Sequence, residues 1–205
     1  MKCNAMQPRP ICAMCRRAHS TCICRWVRPQ STLVEVVILQ HPLEVAEAKG
    51  TGRLLHLNLI GSSLIAGEML TQRAIEVINN PSRRSVLLYP EEFADSTNAH
   101  NRHKANHLSA DPTTLRLIVL DATWRKSRKM LHLNPVLQSL PRLSLCDPPP
   151  SRYAIRKAHH AHQLSTLEAT CFALQQCGES AAVLQHLLQS FDGFISQQES
   201  YRCHT

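Results

Sequence analysis

Aromatic residues make up only 4% of the 205-residue chain. A core this poor in rings must rest on Leu, Ile, Val and Ala. No apolar run approaches the roughly 20 residues that cross a bilayer, so a membrane span is not expected. The first residues, "MKCNAMQPRPICAMC", hold no apolar segment of the secretory type, which makes the cytoplasm the expected compartment. Several catalytic signatures are missing as well. "GTGRLL" at 50–55 has no third glycine and follows no strand directly, so it is not a dinucleotide fingerprint. There is no phosphate-binding G-x-x-x-x-G-K-[ST], no G-x-S-x-G elbow and no H-E-x-x-H. The common routes to nucleotide binding and hydrolysis are therefore closed.

Acidic residues are absent where basic ones gather. The formal net charge is +8; residues 1–30 hold six Lys/Arg and no acid, and residues 121–160 hold eight against Asp121 and Asp147. Between them, residues 31–100 are slightly acidic. Either basic segment alone reads as a solvated face. Both together point to a polyanion, since clustered cations gain by displacing phosphate counterions.

Cysteine is plentiful. Of nine, four form C-x2-C-x6-C-x-C at Cys12, Cys15, Cys22 and Cys24. Four thiolates so close can converge on a structural zinc ion, and a short Pro/Arg-rich segment has little else to fold around. Incidental reduced thiols are the plainer alternative, and a redox pair is disfavoured because two pairs are present. Cys3, Cys171, Cys177 and Cys203 read as ordinary thiols.

Beyond this segment, residues 1–30, the chain alternates strand and helix patterns. Apolar β-branched runs predict strands at 32–40, 63–70, 85–90, 115–121 and 142–147. Helical spacing follows at 54–60, 70–80 and 123–133. Residues 91–113 read as a long histidine-bearing loop with a helical turn, ordered on RNA binding. Two helices close the chain, the first opened by a capping box in which Ser165 and Glu168 satisfy each other's amides. Such alternation predicts one α/β domain over 31–205 with a largely parallel sheet.

The stretch "LIVLDATWRKSRKM" (117–130) concentrates chemistry at a strand end, where ligands bind in open α/β sheets. Asp121 could act as a general base, Thr123 could orient, and Trp124 could stack on a base or an adenine ring. Alternatively Asp121 or Thr123 caps the helix and Trp124 lies in the core. His41 and Glu44, after the first strand, read as a local hydrogen-bonded pair at the site periphery.

"DATW" resembles the element that names the DTW-domain family, and other blocks follow in the family's order. They are the cysteine knuckle, "LQHPLE" (39–44), "TGRLL" (51–55), "LLYP" (87–90), "DATWRKSRKMLHLNP" (121–135), "LP" (140–141), "YAIRK" (153–157) and "LSTLEA" (164–169). Ala122 stands where the family typically has Gly. The resemblance implies a tRNA-uridine aminocarboxypropyltransferase of the bacterial type. Such an enzyme moves the 3-amino-3-carboxypropyl group of S-adenosylmethionine to N3 of a variable-loop uridine and leaves methylthioadenosine. It implies a SPOUT-like sheet with a C-terminal knot forming the cofactor cleft, preceded by the zinc knuckle, and a chain acting as a monomer. Asp121, Thr123 and Trp124 are then the expected catalytic residues. Leu88, Tyr89, Pro90, Arg156, Leu164, Ser165, Thr166 and Glu168 would contact S-adenosylmethionine. Arg16, Arg17, Arg25, Arg125, Lys126, Arg128, Lys129 and Lys157 would follow the tRNA phosphates. A base role for Asp121 requires burial that raises its pKa. Two alternatives stay open: methyl transfer from the same donor, and a non-catalytic zinc-stabilised RNA-binding protein.

Overall fold

A computed structural model describes residues 10–90, 111–152 and 164–202. Arg156 and Lys157, the histidines at 100–107, Cys3 and Cys203 lie outside the described residues. Five strands, β1 (Glu35–Gln40), β2 (Ser63–Ala66), β3 (Arg84–Leu88), β4 (Leu115–Asp121) and β5 (Arg142–Leu143), form one sheet in the order β2-β1-β4-β3-β5. Every pairing is parallel. The helices are α1 (Gly52–Asn58), α2 (Gln72–Asn79), α3 (Trp124–Leu133), α4 (Pro135–Gln138), α5 (Thr166–Gln176) and α6 (Ala181–Ser200).

Both faces of the sheet are covered, which is why β1 and β4 read as nearly continuous apolar runs. Alternation divides their side chains between two cores. Val36, Ile38, Leu117 and Val119 meet α1, α5 and α6 through Leu54, Leu174, Phe191 and Phe194. Val37, Leu39 and Ile118 meet α2, α3 and α4 through Ile78, Met130 and Leu137. β4 is flanked by β1 and β3 and aligns with β1 from Glu35↔Arg116 to Gln40↔Asp121. That register puts Gln40 and Asp121 side by side at the carboxyl edge.

The strand expected over 142–147 stops after Leu143, with only Arg142 and Leu143 paired to β3. Its next polar groups are diverted to a side chain. Gln176 of α5 donates to the Ser144 carbonyl at 3.2 Å and accepts from the Cys146 amide at 3.0 Å. Asp147 then turns the backbone with φ +42°. Of the long loop expected over 91–113, residues 91–110 lie outside the described residues, and a short 3-10 turn at Pro112–Thr114 leads into β4.

The cysteine segment is docked, not loose. Trp26 donates its indole N–H to Gln197 Oε1, and Gln197 Nε2 donates to the Cys22 carbonyl at 3.0 Å. Arg17 donates to the carbonyls of Ala48 and Gly50 and lies 5.3 Å from the Phe194 ring. Gly193 of α6 allows this fit, because a Cβ there would fall 2.3 Å from Trp26 Cε3.

Gly193→Ala gains helix propensity of about 1 kcal/mol, but the overpacking it forces costs about 1–3 kcal/mol. The melting temperature should fall by a few degrees; a rise would show that the indole moves aside freely.

Candidate active site and metal centre

Strand ends are natural sites because backbone groups and following helix starts converge there. Here β1, β4, α1 and α5 converge on one carboxylate. Asp121, the last residue of β4, is 4% exposed. Gln40 Nε2 donates to its Oδ2 and Thr166 Oγ1 donates to its Oδ1, both at 2.7 Å. A Cβ on Gly52 would lie 2.2 Å from Oδ2, so only glycine lets the first turn of α1 rest on the carboxylate. Neighbouring Thr51 accepts the Leu167 amide at 3.2 Å, tying the starts of α1 and α5 together.

The start of α5 is fully built. Ser165 Oγ accepts the Glu168 amide at 3.2 Å, and Glu168 returns to the Ser165 amide at 2.8 Å, the reciprocal cap expected from the sequence. Glu168 also accepts from Ser151 Oγ and the Arg152 amide. A buried carboxylate with these donors clamps the chain at 151–152. The positive end of α5 faces Asp121, which favours a negative charge there.

Trp124 is not core. It is 44% exposed, directly after Thr123, whose hydroxyl makes no capping bond to α3. Its ring meets buried Tyr89 edge-on, with centroids 5.8 Å apart and planes at 70°. Tyr89 carries the Arg142 guanidinium 5.1 Å from its centroid, and its hydroxyl is 3.4 Å from Ser127 Oγ. Leu88 and Pro90 are half-buried beside it, and Leu164 is half-buried before α5. The expected residues thus form two groups. Asp121 joins Thr166, while Trp124 joins Tyr89.

The cations expected to follow phosphates also divide. Lys126 pairs with buried Glu44 at 2.7 Å and Lys129 with Glu68 at 2.9 Å. Arg17 is spent on backbone carbonyls. Arg16, Arg25, Arg125 and Arg128 are exposed, and Arg25 stacks 4.6 Å from the Trp26 ring centroid. His41 and Glu44 are joined through the backbone, the Glu44 amide donating to the His41 carbonyl at 2.8 Å, while His41 turns its ring to Glu68 and Glu44 its carboxylate to Lys126. His41 Nδ1 accepts the Leu43 amide, so Nε2 carries the proton given to Glu68 at 3.0 Å. Donation from Lys129 first, then His41, holds the Glu68 carboxyl below its usual range.

Gln40, Thr51 and Gly52 had no assigned role in the sequence. They sit inside "LQHPLE" and "TGRLL", but only the strand register and a close helix approach reveal why.

The Sγ atoms of Cys12, Cys15, Cys22 and Cys24 all lie within 4.8 Å of one another. Cys12–Cys24 is 3.6 Å and Cys15–Cys22 is 3.7 Å. A tetrahedral zinc with bonds of about 2.3 Å spaces its sulfurs about 3.8 Å apart, so the donor set fits zinc. Backbone hydrogen bonds from Cys15 and Met14 bring the Cys12 thiol down to about 6. Burial and the neighbouring thiols raise Cys24. Cys22 rises too, its backbone hydrogen bond at Cys24 being outweighed by burial and the adjacent thiols.

A family model for the DTW domain matches residues 9–199. The chain belongs to the DTW-domain family. Among curated proteins it is 30% identical over 145 residues to tRNA-uridine aminocarboxypropyltransferase A of Arabidopsis thaliana, covering 65% of this chain and 54% of that protein. It is 28% identical over 174 residues to tRNA-uridine aminocarboxypropyltransferase 2 of Drosophila melanogaster, covering 80% and 65%. The chain therefore spans between about half and two thirds of these relatives. No solved structure matches it. No helix among the described residues is long and apolar enough to cross a membrane.

Metal loading must release protons from Cys22 and Cys24. Zinc affinity should fall as pH drops from 8, and loss should steepen below about 6, where Cys12 also protonates. Cys24→Ser should lose the stoichiometric metal seen by atomic absorption; a chain purified metal-free with a melting curve indifferent to chelator would contradict this. Gly52→Ala should lower the melting temperature by a few degrees, since Asp121 is held on both oxygens and cannot swing away; an unchanged melt would mean the α1 start is not tight against it.

Proposed function

We propose that this chain transfers the 3-amino-3-carboxypropyl group of S-adenosylmethionine to N3 of a uridine in the tRNA variable loop. The observation that carries the reading is the buried Asp121 carboxylate, held by β1 and α5 at the sheet's carboxyl edge and followed by exposed Trp124. The names of the curated relatives support the same chemistry.

The donor's sulfonium supplies the activation, so the protein's work is positioning and one deprotonation. Uridine N3 is a poor nucleophile while protonated. Asp121 would accept that proton as the N3–carbon bond forms and the carbon–sulfur bond breaks, its electron pair staying on sulfur in methylthioadenosine. Gln40 and Thr166 would hold the carboxylate so that its motion costs little at that moment. Trp124, backed by Tyr89, offers an exposed face for a base. Thr123 would orient the reacting groups from the same turn. Leu88, Tyr89, Pro90, Leu164, Ser165 and Thr166 would form the cofactor wall together with Arg156, with Glu168 holding the α5 start in shape. Arg16, Arg25, Arg125 and Arg128 are the exposed cations offered to tRNA; Lys126 and Lys129 would have to leave their carboxylates to join them.

The reading includes a SPOUT-like domain with a C-terminal knot over 31–205, a zinc-stabilised knuckle over 1–30, and a monomer working in the cytoplasm. Purified protein incubated with S-adenosylmethionine and tRNA from cells lacking it should give a uridine heavier by one aminocarboxypropyl group, detected by nucleoside mass spectrometry, with methylthioadenosine released. A methyl increment, or no modified uridine, would overturn it.

A further inference from the structure

Between the cysteine knuckle and the loop after β1 lies a cleft of about 190 Å³. That is below the roughly 300 Å³ at which pockets begin to hold a drug-sized ligand; it suits a single group. Arg16 enters from the knuckle, Arg53 from α1, and Gln40, Glu44 and Glu47 line the sheet side. Most of the polar groups here are already engaged. Arg17 binds two carbonyls, Glu44 pairs with Lys126, and Glu47 accepts the Lys49 amide at 3.3 Å. Arg16 and half-buried Arg53 are different: neither guanidinium has a hydrogen bond or ion pair among the described residues. Two like charges line one cleft, Arg16 exposed and Arg53 half-buried, with Cys15 beside them.

The backbone gives a second, independent sign. Arg16 has φ +61°, a left-handed conformation that glycine adopts without strain and arginine does not. It lies in the tight turn where its amide donates to the Cys12 carbonyl and the Cys12 amide donates to the Arg17 carbonyl. The turn would form more easily with glycine, so the side chain serves something other than the turn. Gln40 lines this cleft while donating to Asp121, so whatever sits there lies one side chain from the carboxylate.

We propose that this seam is an oxyanion site, in which Arg16 and Arg53 together grip one phosphodiester or carboxylate group of the substrates. Guanidinium forks suit both groups. The source of the anion rests on the transferase reading: an RNA backbone phosphate, or the carboxylate of S-adenosylmethionine. The seam then gives the knuckle a direct part in substrate binding, because half of the grip comes from each side.

Arg16→Gly and Arg53→Gln test it, singly and together. Neither removes an ion pair and the first relieves strain, so both should fold and keep their metal, checked by melting curves and atomic absorption. Three probes are titrated against wild type and variants: tRNA at several salt concentrations, S-adenosylmethionine with methylthioadenosine as its carboxylate-free control, and inorganic phosphate read as a rise in melting temperature. A backbone phosphate at the site predicts tRNA affinity about tenfold lower in Arg53→Gln, a salt slope reduced by about one, and unchanged S-adenosylmethionine binding. A carboxylate there predicts about tenfold weaker S-adenosylmethionine binding in Arg53→Gln, with its methylthioadenosine and tRNA binding unaffected. Should wild type bind neither substrate, the transferase reading fails, and the site still stands if phosphate stabilises wild type but not the double variant. If every probe treats the double variant as wild type, the site is excluded.

Discussion

A carboxylate withdrawn from water must be met by donors, or it costs the fold several kcal/mol. Asp121 is met from two directions, by Gln40 of β1 and Thr166 of α5, and much of the molecule is arranged so that this can happen. The parallel register of β1 and β4 puts Gln40 level with Asp121. The missing side chain of Gly52 lets α1 start against the carboxylate. The capping box at Ser165 and Glu168 fixes the start of α5 so that Thr166 reaches it. Sheet, two helices and a cap thus meet at one atom pair, which explains why these residues come from blocks scattered over more than a hundred positions.

Charge is handled differently on the two basic segments. On α3 the two lysines turn toward Glu44 and Glu68, bracing the helix against the loops after β1 and β2, while Arg125 and Arg128 stay outward. On the knuckle Arg17 is a structural clamp, and Arg16 is the one set in a strained turn facing a cleft. Net charge alone treats these side chains as equivalent. Their partners separate bracing cations from those offered to a ligand. The knuckle itself has almost no core of its own; Cys15 and Ile23 are buried against the main core, and Trp26 is seated on α6. Metal and docking together replace the core it lacks.

Much of this was legible in the chain. The apolar runs of β1, β3 and β4, the Ser165 cap and the four cysteines were visible because each depends on local pattern or short spacing. What stayed hidden depends on tertiary approach. Nothing near Gln40 in sequence says that it will meet Asp121, and Gly52 looked like part of a failed nucleotide motif until a helix start was found against the carboxylate. The edge strand was overestimated past Leu143 because a side chain, Gln176, took the backbone groups a strand partner would have used. Trp124 could be read as core or as platform from its spacing; only its exposure beside Tyr89 decides.

The central claim is that Asp121 acts on the reacting base instead of merely bracing the sheet edge. Asp121→Asn preserves shape: the amide oxygen can still accept from Thr166, and Gln40 can turn its own oxygen toward the new N–H₂. The most direct measurement is therefore a paired one on this variant, binding of tRNA and S-adenosylmethionine together with the single-turnover transfer rate. The predicted result is binding within a few-fold of wild type and a rate lower by about 10²–10⁴. Near-normal transfer would contradict the assignment and leave Asp121 as a structural anchor.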